Sequence, residues 1–154
     1  MFATLVKELG EVIGLHSLAP DASGAVTLTV DGFPFILQYY DAGQDLYIIH
    51  RLGTLPEAPE QQAAAQRFLL EKNCFFRGVG SGILGIEDND IFYTVRIACC
   101  DKLGGCISGA ELEHILRAAV DTCADVRSGY SAVVSTEQRA GMPTDIEYLS
   151  MLRV

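Results

Sequence analysis

The amino-acid sequence predicts one α+β domain with three helices and a mainly antiparallel five-stranded sheet, in the order α-β-β-β-α-β-β-α. The chain has 154 residues, the size of a single domain with a substantial core. Five short apolar runs follow one another across turn signals, as in antiparallel hairpins. Two longer segments repeat apolar residues at spacings of three and four, and a third is rich in Ala, Gln and Leu, which together indicate three helices.

The first helix is predicted over residues 2–15, where apolar side chains recur at helical spacing. These side chains are Phe2, Leu5, Leu9, Val12 and Ile13. Gly14 is expected to end the helix, and Pro20 and Gly24 mark the loop that follows it.

Residues 25–31, 33–40 and 45–51 are predicted to form three consecutive strands. The Asp31-Gly32 pair between the first two is a strong signal for a two-residue hairpin turn. Pro34 has no N–H to donate, so we expect its strand to lie at a sheet edge there or to carry a bulge.

The hairpin register and the alternation of side chains divide the predicted sheet into two faces. One face carries Val26, Leu28, Val30, Phe33, Phe35, Leu37, Leu46, Ile48 and His50. The opposite face carries Thr27, Thr29, Ile36, Gln38, Tyr40, Tyr47, Ile49 and Arg51. That second face is more apolar than a solvated face requires, which makes it a candidate binding surface.

The second half of the chain is predicted to contain a helix followed by another hairpin. The helix covers residues 57–73, with Pro59 in its first turn and Asn73 at its end. Residues 81–87 and 91–99 alternate as a strand pair around an Asp-Asn-Asp turn. The apolar contacts of the helix are predicted to come from Ala63, Phe68, Leu69 and Leu70.

The third helix is predicted to begin after Ser108, because Glu111 stands three residues later and completes a capping box. It is expected to run to about Arg127. Glycine and proline interrupt residues 129–154, which we predict to be a weakly ordered tail with a further short helix near its end.

Charge and composition indicate which partners the protein can bind and in which cellular compartment it is found. Lys and Arg number 11 and Asp and Glu number 20, which leaves a net charge of −9. That balance argues against nucleic acid and anionic membranes as partners, since both attract clustered cations. We find no apolar run long enough to cross a membrane and no secretory signal, so a cytoplasmic location is expected. The five cysteines fit reduced thiols there.

Catalytic and metal-binding patterns are scarce in the sequence. Gly78, Gly80 and Gly82 lack the Lys-Ser/Thr of a phosphate loop and precede a strand. The three histidines have no ligand spacing, and no Cys-x-x-Cys pair occurs. We therefore predict no catalytic residue, no metal and no cofactor.

Several sequence segments, taken in order, resemble one known family. They are the amphipathic first helix, Val30-Asp31-Gly32, Leu46-Tyr47-Ile48-Ile49, Leu52-Gly53-Thr54-Leu55-Pro56, Phe68-Leu69-Leu70-Glu71-Lys72-Asn73, Leu84-Gly85-Ile86-Glu87 and the amphipathic last helix. This set is similar to the class I type III secretion chaperones, the group that includes the Tir chaperone. The resemblance covers residues 1–128, which we expect to form the chaperone-like domain, and leaves 129–154 outside it.

The resemblance implies a twisted sheet, a homodimer and a non-enzymatic role in the bacterial cytoplasm. Such chaperones bind the N-terminal segment of a secreted effector, keep it non-globular and promote its delivery, with the secretion ATPase as a further candidate partner. The family's dimer contact implies the second helix and second hairpin, here Phe68, Leu69, Ile83, Phe92 and Thr94. The candidate effector-binding residues are Phe2, Leu5, Ile36, Tyr40, Tyr47 and Ile49.

Two other functions remain open from the residues alone. A curved sheet under a helix can enclose a pocket, so a small-molecule-binding module is one alternative. A thiol- or metal-dependent enzyme that uses Cys99, Cys100 or Cys106 is the other.

Overall fold

The computed structural model describes residues 1–40, 42, 44–76, 78–99 and 106–140. It confirms the predicted order of elements and the α+β class. The elements are α1 (Phe2–Ile13), β1 (Ala25–Val30), β2 (Phe33–Tyr40), β3 (Asp45–Thr54), α2 (Pro59–Asn73), a short 3-10 turn (Cys74–Phe76), β4 (Gly82–Glu87), β5 (Asp90–Ala98) and α3 (Gly109–Ala140).

The five strands form one sheet in the order β1-β2-β3-β5-β4, and every neighbouring pair is antiparallel. The predicted Asp31-Gly32 hairpin is confirmed, with Val30 opposite Phe33. Both turn residues have positive φ, 49° and 83°, as a type I′ turn demands, and glycine adopts that conformation at low cost.

One face of the sheet forms the core, as the alternation predicted. Phe35, Leu37, Leu46 and Ile48 are fully buried there, and so is His50. The helices cover this face with side chains such as Val6, Leu9, Leu112, Leu116 and Cys123. Burying one such aliphatic side chain contributes about 1.5–3 kcal/mol, so this face supplies most of the driving force for folding.

Helices α1 and α3 cross at Gly109, where the two backbones nearly touch. A Cβ atom at Gly109 would lie 2.6 Å from the backbone of α1. The Glu8 carboxylate accepts a hydrogen bond from the Gly109 N–H at 3.2 Å. The predicted capping box is confirmed, since the Ser108 N–H donates to Glu111 Oε2 and the Glu111 N–H donates to Ser108 Oγ. The start of α3 is therefore fixed both locally and by α1.

The predicted end of α3 near Arg127 is wrong, because the helix continues through Gly129 to Ala140. Tertiary contacts hold this extension in place. A Cβ atom at Gly129 would lie 2.9 Å from the Phe68 ring, and the Tyr130 hydroxyl donates to the Thr54 carbonyl at 2.8 Å. Residues 129–140 are thus helical. The further helix expected near the end of the tail falls outside the described residues, and the domain boundary at 128 stays a prediction.

One smaller expectation also needs correction. Ala63 and Leu70 do not supply the contacts of α2, since its buried residues are Ala65 and Leu69. Helix α2 makes its main contacts with α3 and with the β4 end of the sheet. The expectation for Pro34 is confirmed locally, because β2 is not paired with β3 at that residue. The proline is tolerated inside the sheet because the register of β2 with β3 begins only at Ile36.

Candidate functional site

The sheet face opposite the helices carries an apolar row that crosses all five strands. We call it the open-face stripe, and it consists of Thr27, Ile36, Ile49, Thr94 and Ile83. Each member lies directly opposite the next across a strand pair, close enough for side-chain contact. Ile36 is exposed, and Ile83 keeps 54% of its surface accessible. Two isoleucines at opposite ends therefore present apolar area to solvent, in a row that spans the sheet.

Ion pairs flank the open-face stripe on both sides. Arg96 contacts Asp45 at 2.7 Å beside Tyr47, and Arg51 contacts Asp90 at 2.7 Å near Phe92. The hydrogen bond from Arg51 lowers the pKa of Asp90. An exposed pair such as Arg51–Asp90 contributes only about 0–1 kcal/mol to stability, whereas the Asp45 side chain is only 6% exposed and has Arg96 as its partner. Both pairs border the stripe with charged groups.

Three of the predicted effector-binding residues lie together on this face. Ile36 is opposite Ile49, and Tyr47 is two positions along the same strand as Ile49. Tyr40 lies on the same face at the end of β2 and is exposed. The structure thus groups four residues that the alternation pattern had selected.

The other two predicted effector-binding residues lie elsewhere, on α1 behind the sheet. Leu5 is buried in the core, so it has little surface to offer a partner. Phe2 is half-buried and stacks on Tyr39 with ring centroids 5.5 Å apart. Beside this stack is a cavity of about 220 Å³, wide enough for an apolar side chain. Its lining comprises Met1, Phe2, Thr4, Leu5, Glu8, Tyr39, Cys99, Cys106 and Ile107.

The outer edge of β1 is suited to pairing with a further strand. Because Val30 and Phe33 flank a two-residue turn, they form a hydrogen-bonded pair, and Thr27 and Thr29 then direct their N–H and C=O groups outward. At the start of the strand, Ala25 bonds with Asp21 instead. A cavity of about 250 Å³ lies alongside the edge. Its apolar lining includes Ile13, Leu15, Leu28, Val30 and Leu116.

The opposite edge of the sheet is partly closed by a side chain. Asn73, the last residue of α2, donates from Nδ2 to the Leu84 carbonyl and accepts from the Leu84 N–H, both at 2.8 Å. These two bonds imitate a neighbouring strand at the centre of β4. The sequence identified Asn73 only as a helix end, because its partner lies in an element that comes later in the chain.

The predicted dimer residues fall into two separate groups. Ile83, Phe92 and Thr94 lie on the open sheet face, next to Ile49. Phe68 and Leu69 lie on α2 and contact other elements of their own chain, and their role in an interface stays a prediction. Leu69 is only 4% exposed. Phe68 packs edge-on against Tyr130, with ring centroids 6.4 Å apart, in contact with the α3 extension that the sequence analysis missed.

Other apolar side chains near α2 and β4 are exposed instead. Leu70 is 70% exposed and Phe75 is 81% exposed, and Phe76 and Ile86 are exposed as well. Phe75 and Phe76 both have positive φ, 55° and 56°. Bulky side chains rarely adopt this conformation, and such strain often occurs at functional sites.

The described residues offer little support for the alternative with a reactive thiol or a metal. Burial raises the pKa of the Cys99 thiol, which disfavours its reactive thiolate form. Within the described ranges, no three His, Cys, Asp or Glu side chains are grouped to hold a metal ion. Cys100 lies outside those ranges. Among the described helices, none has the length and apolarity that a membrane crossing needs.

Comparisons with known proteins agree with this architecture. The model of the Tir chaperone protein (CesT) family matches residues 4–127. A search of curated protein sequences gives no match. Similar solved structures include the Yersinia pestis type III secretion chaperone SycH in complex with a stable fragment of YscM2, at 18% identity and a TM-score of 0.59, covering 82% of this chain and 99% of that one.

Two further structures have the same fold. The HopA1-SchA chaperone-effector complex matches at 18% identity with a TM-score of 0.61, covering 81% of this chain and 91% of that one. The ExsC-ExsE complex matches at 17% identity with a TM-score of 0.55, covering 86% of this chain and 92% of that one.

Proposed function

Because the chain belongs to the Tir chaperone (CesT) family, we propose that it is a type III secretion chaperone. In this role it binds the N-terminal region of a secreted effector, keeps that region non-globular and soluble, and promotes its delivery to the secretion apparatus. The family match over residues 4–127 carries the proposal. SycH and SchA, which share the fold, were each solved with a bound partner. The role is non-enzymatic and belongs to the bacterial cytoplasm.

The open-face stripe supports binding of an unfolded client. An extended segment presents alternate side chains on one side, which suits a row of apolar side chains across a sheet. Ile36, Tyr47 and Ile49 form the part of the sheet where we place those contacts, with Tyr40 at its margin. Because an unfolded segment loses conformational freedom on binding, it needs a long contact surface of this kind.

Two further features of the surface suit the same client. The outward N–H and C=O groups of Thr27 and Thr29 can satisfy the backbone of an added strand. The cavity beside Phe2 can hold an apolar side chain from a second part of the segment. The net charge of −9 favours encounter with basic segments and keeps the loaded chaperone soluble.

The chaperone is proposed to act as a homodimer. We place the contact at the β4 end of the sheet, with Ile83, Phe92 and Thr94 on the open face and the exposed Leu70 and Phe75 on α2 and the turn after it. Phe68 and Leu69, on the same helix as Leu70, stay predicted interface residues, and Phe68 is only half-buried. The secretion ATPase stays a prediction as a further partner.

Capture of a client from the native bacterium tests the function. The tagged chain is expressed there, and the proteins that copurify with it are identified by mass spectrometry. We expect a secreted protein that binds through its N-terminal region. The double variant Tyr47→Asp and Ile49→Asp should fold and lose this client, because two buried carboxylates would oppose the apolar contact.

The matched control places the same two charges on solvent-exposed positions of α3, as Ala118→Asp and Ala124→Asp. This variant should capture the client as the wild type does. Recovery of no secreted protein would contradict the function. Full capture by the Tyr47→Asp and Ile49→Asp variant would contradict the open sheet face as its site.

A further inference from the structure

A chain of hydrogen bonds joins α3 to two strands through one buried histidine. The Nδ1 atom of His50 lies 2.6 Å from the Pro34 carbonyl oxygen, which can only accept, so Nδ1 carries the proton. The Nε2 atom is then the acceptor, and it receives a hydrogen bond from Arg127 Nη2 at 3.1 Å. The geometry therefore specifies a neutral His50 in one tautomer.

The surroundings of His50 leave no room for a solvated charge. The side chain is 1% exposed and lies against the rings of Phe33 and Phe35, with centroids 5.4 Å and 5.2 Å away. The Arg127 guanidinium lies over the Phe33 ring at 4.7 Å. A proton added to His50 would therefore stay in an apolar setting beside an existing positive charge.

Protonation of His50 is incompatible with its bond to Arg127. A hydrogen on Nε2 would point at a guanidinium that has only donors, and two positive charges would face each other at 3.1 Å. Arg127, which is exposed, must then turn its side chain into solvent, so α3 loses its hydrogen bond to His50. Beyond Arg127, α3 is held by the Tyr130 hydroxyl on the Thr54 carbonyl and by the contact of Tyr130 with Phe68.

We propose that His50 and Arg127 form a proton-sensitive latch, in which protonation of His50 releases the C-terminal part of α3 from the sheet. The inference is independent of the proposed chaperone function. The latch depends only on the contacts of α3 with β2, β3 and α2. The proton is what triggers its release.

The other groups around the latch do not titrate in the same range. Tyr93 on β5 lies opposite His50, and burial raises its pKa. Cys123 lies one turn before Arg127, and burial raises its pKa to about 12. Both stay neutral between pH 5 and 8, so His50 is the group that responds.

The direction of the response follows from linkage. In the latched state, burial and the nearby Arg127 guanidinium hold the pKa of His50 below its ordinary value of 6.5. In the released state His50 regains that ordinary value and binds the proton. The equilibrium for release therefore rises as the pH falls below about 6.5, by at most about tenfold per pH unit and about 30-fold by pH 5.0.

Hydrogen–deuterium exchange of the full chain tests the latch. We expect the amide protection factors of residues 123–134, corrected for intrinsic rates, to fall between pH 7.5 and 5.0, by at most about 30-fold. Those of residues 6–10 in α1 should stay within about twofold. His50→Gln should abolish the pH response, and the control His114→Gln, at an exposed position of α3, should retain it.

A second measurement keeps the inference testable if His50→Gln does not fold. NMR of the imidazole nitrogens in the wild type follows His50 directly, and its protonation should coincide with the loss of protection in α3. Unchanged protection at pH 5.0 would overturn the latch. Loss of protection while His50 is still neutral, or an equal loss in a folded His50→Gln variant, would overturn it as well.

Discussion

Replacing Asn73 with alanine should destabilise the β4 side of the domain and open the edge of the sheet. The Asn73 amide makes two hydrogen bonds to the backbone of Leu84, both at 2.8 Å. Each is worth about 0.5–1.5 kcal/mol, so both together contribute about 1–3 kcal/mol. Alanine recovers up to about 0.7 kcal/mol of helix propensity at the end of α2. We therefore expect a net loss of about 1–2 kcal/mol in the free energy of unfolding.

Urea denaturation followed by circular dichroism measures this loss. The protein concentration is held constant between variants, since the stability of a dimer depends on it. A loss of 1–2 kcal/mol corresponds to a decrease in Tm of about 2–8 °C for a domain of this size. The variant should also self-associate more readily, because the freed N–H and C=O groups of Leu84 can pair with another chain.

The variant Asn73→Asp removes one of the two hydrogen bonds, the one that Asn73 donates. Its carboxylate can still accept from the Leu84 N–H, but it cannot donate and would face the Leu84 carbonyl oxygen. It should therefore be less stable than the wild type, by an amount similar to that of Asn73→Ala. Wild-type stability of both variants would refute the reasoning that this amide closes the edge.

Three further predictions concern packing, assembly and acid stability. Gly82→Ala should cost about 1–3 kcal/mol of unfolding free energy in urea denaturation, because its Cβ would lie 2.4 Å from the Tyr93 ring. Light scattering should give about twice the chain mass of 16.7 kDa for the wild type and a monomer for Leu70→Asp with Phe75→Asp. The lowered pKa of Asp90 means that its carboxylate stabilises the fold above the ordinary value of 3.8, and a pH series of thermal melts should show this stability being lost below about pH 4.

Each of these predictions has a control and a contrary outcome. Gly85→Ala has no atom within 4 Å of its new Cβ, so it should be tolerated, and equal losses at both glycines would contradict the packing argument. A dimeric Leu70→Asp with Phe75→Asp variant would exclude the proposed interface. Asp90→Asn removes the carboxylate, so an unchanged acid response in that variant would contradict the assignment to Asp90.

The parts of the fold that depend on local chemistry could be predicted from the sequence. Asp31-Gly32 specifies its hairpin because the turn itself needs two residues with positive φ. The register of β1 and β2 follows from that turn, and the buried face follows from the register. Ser108 and Glu111 cap α3 through bonds within four residues.

The features that were missed depend on residues far apart in the chain. Helix α3 continues through Gly129 because Phe68, some sixty residues earlier, packs against it. Asn73 bonds to Leu84 in a strand that follows it. The apolar residues of α2 show only weak helical periodicity. The sequence therefore could not show that Leu69 lies on the buried side of the helix and Leu70 on its exposed side.

The candidate site was predictable within each hairpin but not between them. Ile36, Tyr47 and Ile49 share a face through one alternation pattern. The pairing of β3 with β5 places Thr94 directly opposite Ile49, so four of the six predicted client residues and three of the predicted dimer residues lie on one continuous surface. No local signal in either hairpin specifies that pairing, because it is set by the packing of the whole sheet.

Binding of an unfolded client on the open sheet face and at the edge of β1 is the central claim. Hydrogen–deuterium exchange of the chaperone with and without its captured client tests it most directly. We expect the Thr27 and Thr29 amides to gain protection on binding, together with the strands that carry Ile36 and Ile49. Unchanged exchange of β1, β2 and β3 in a saturated complex would contradict the account.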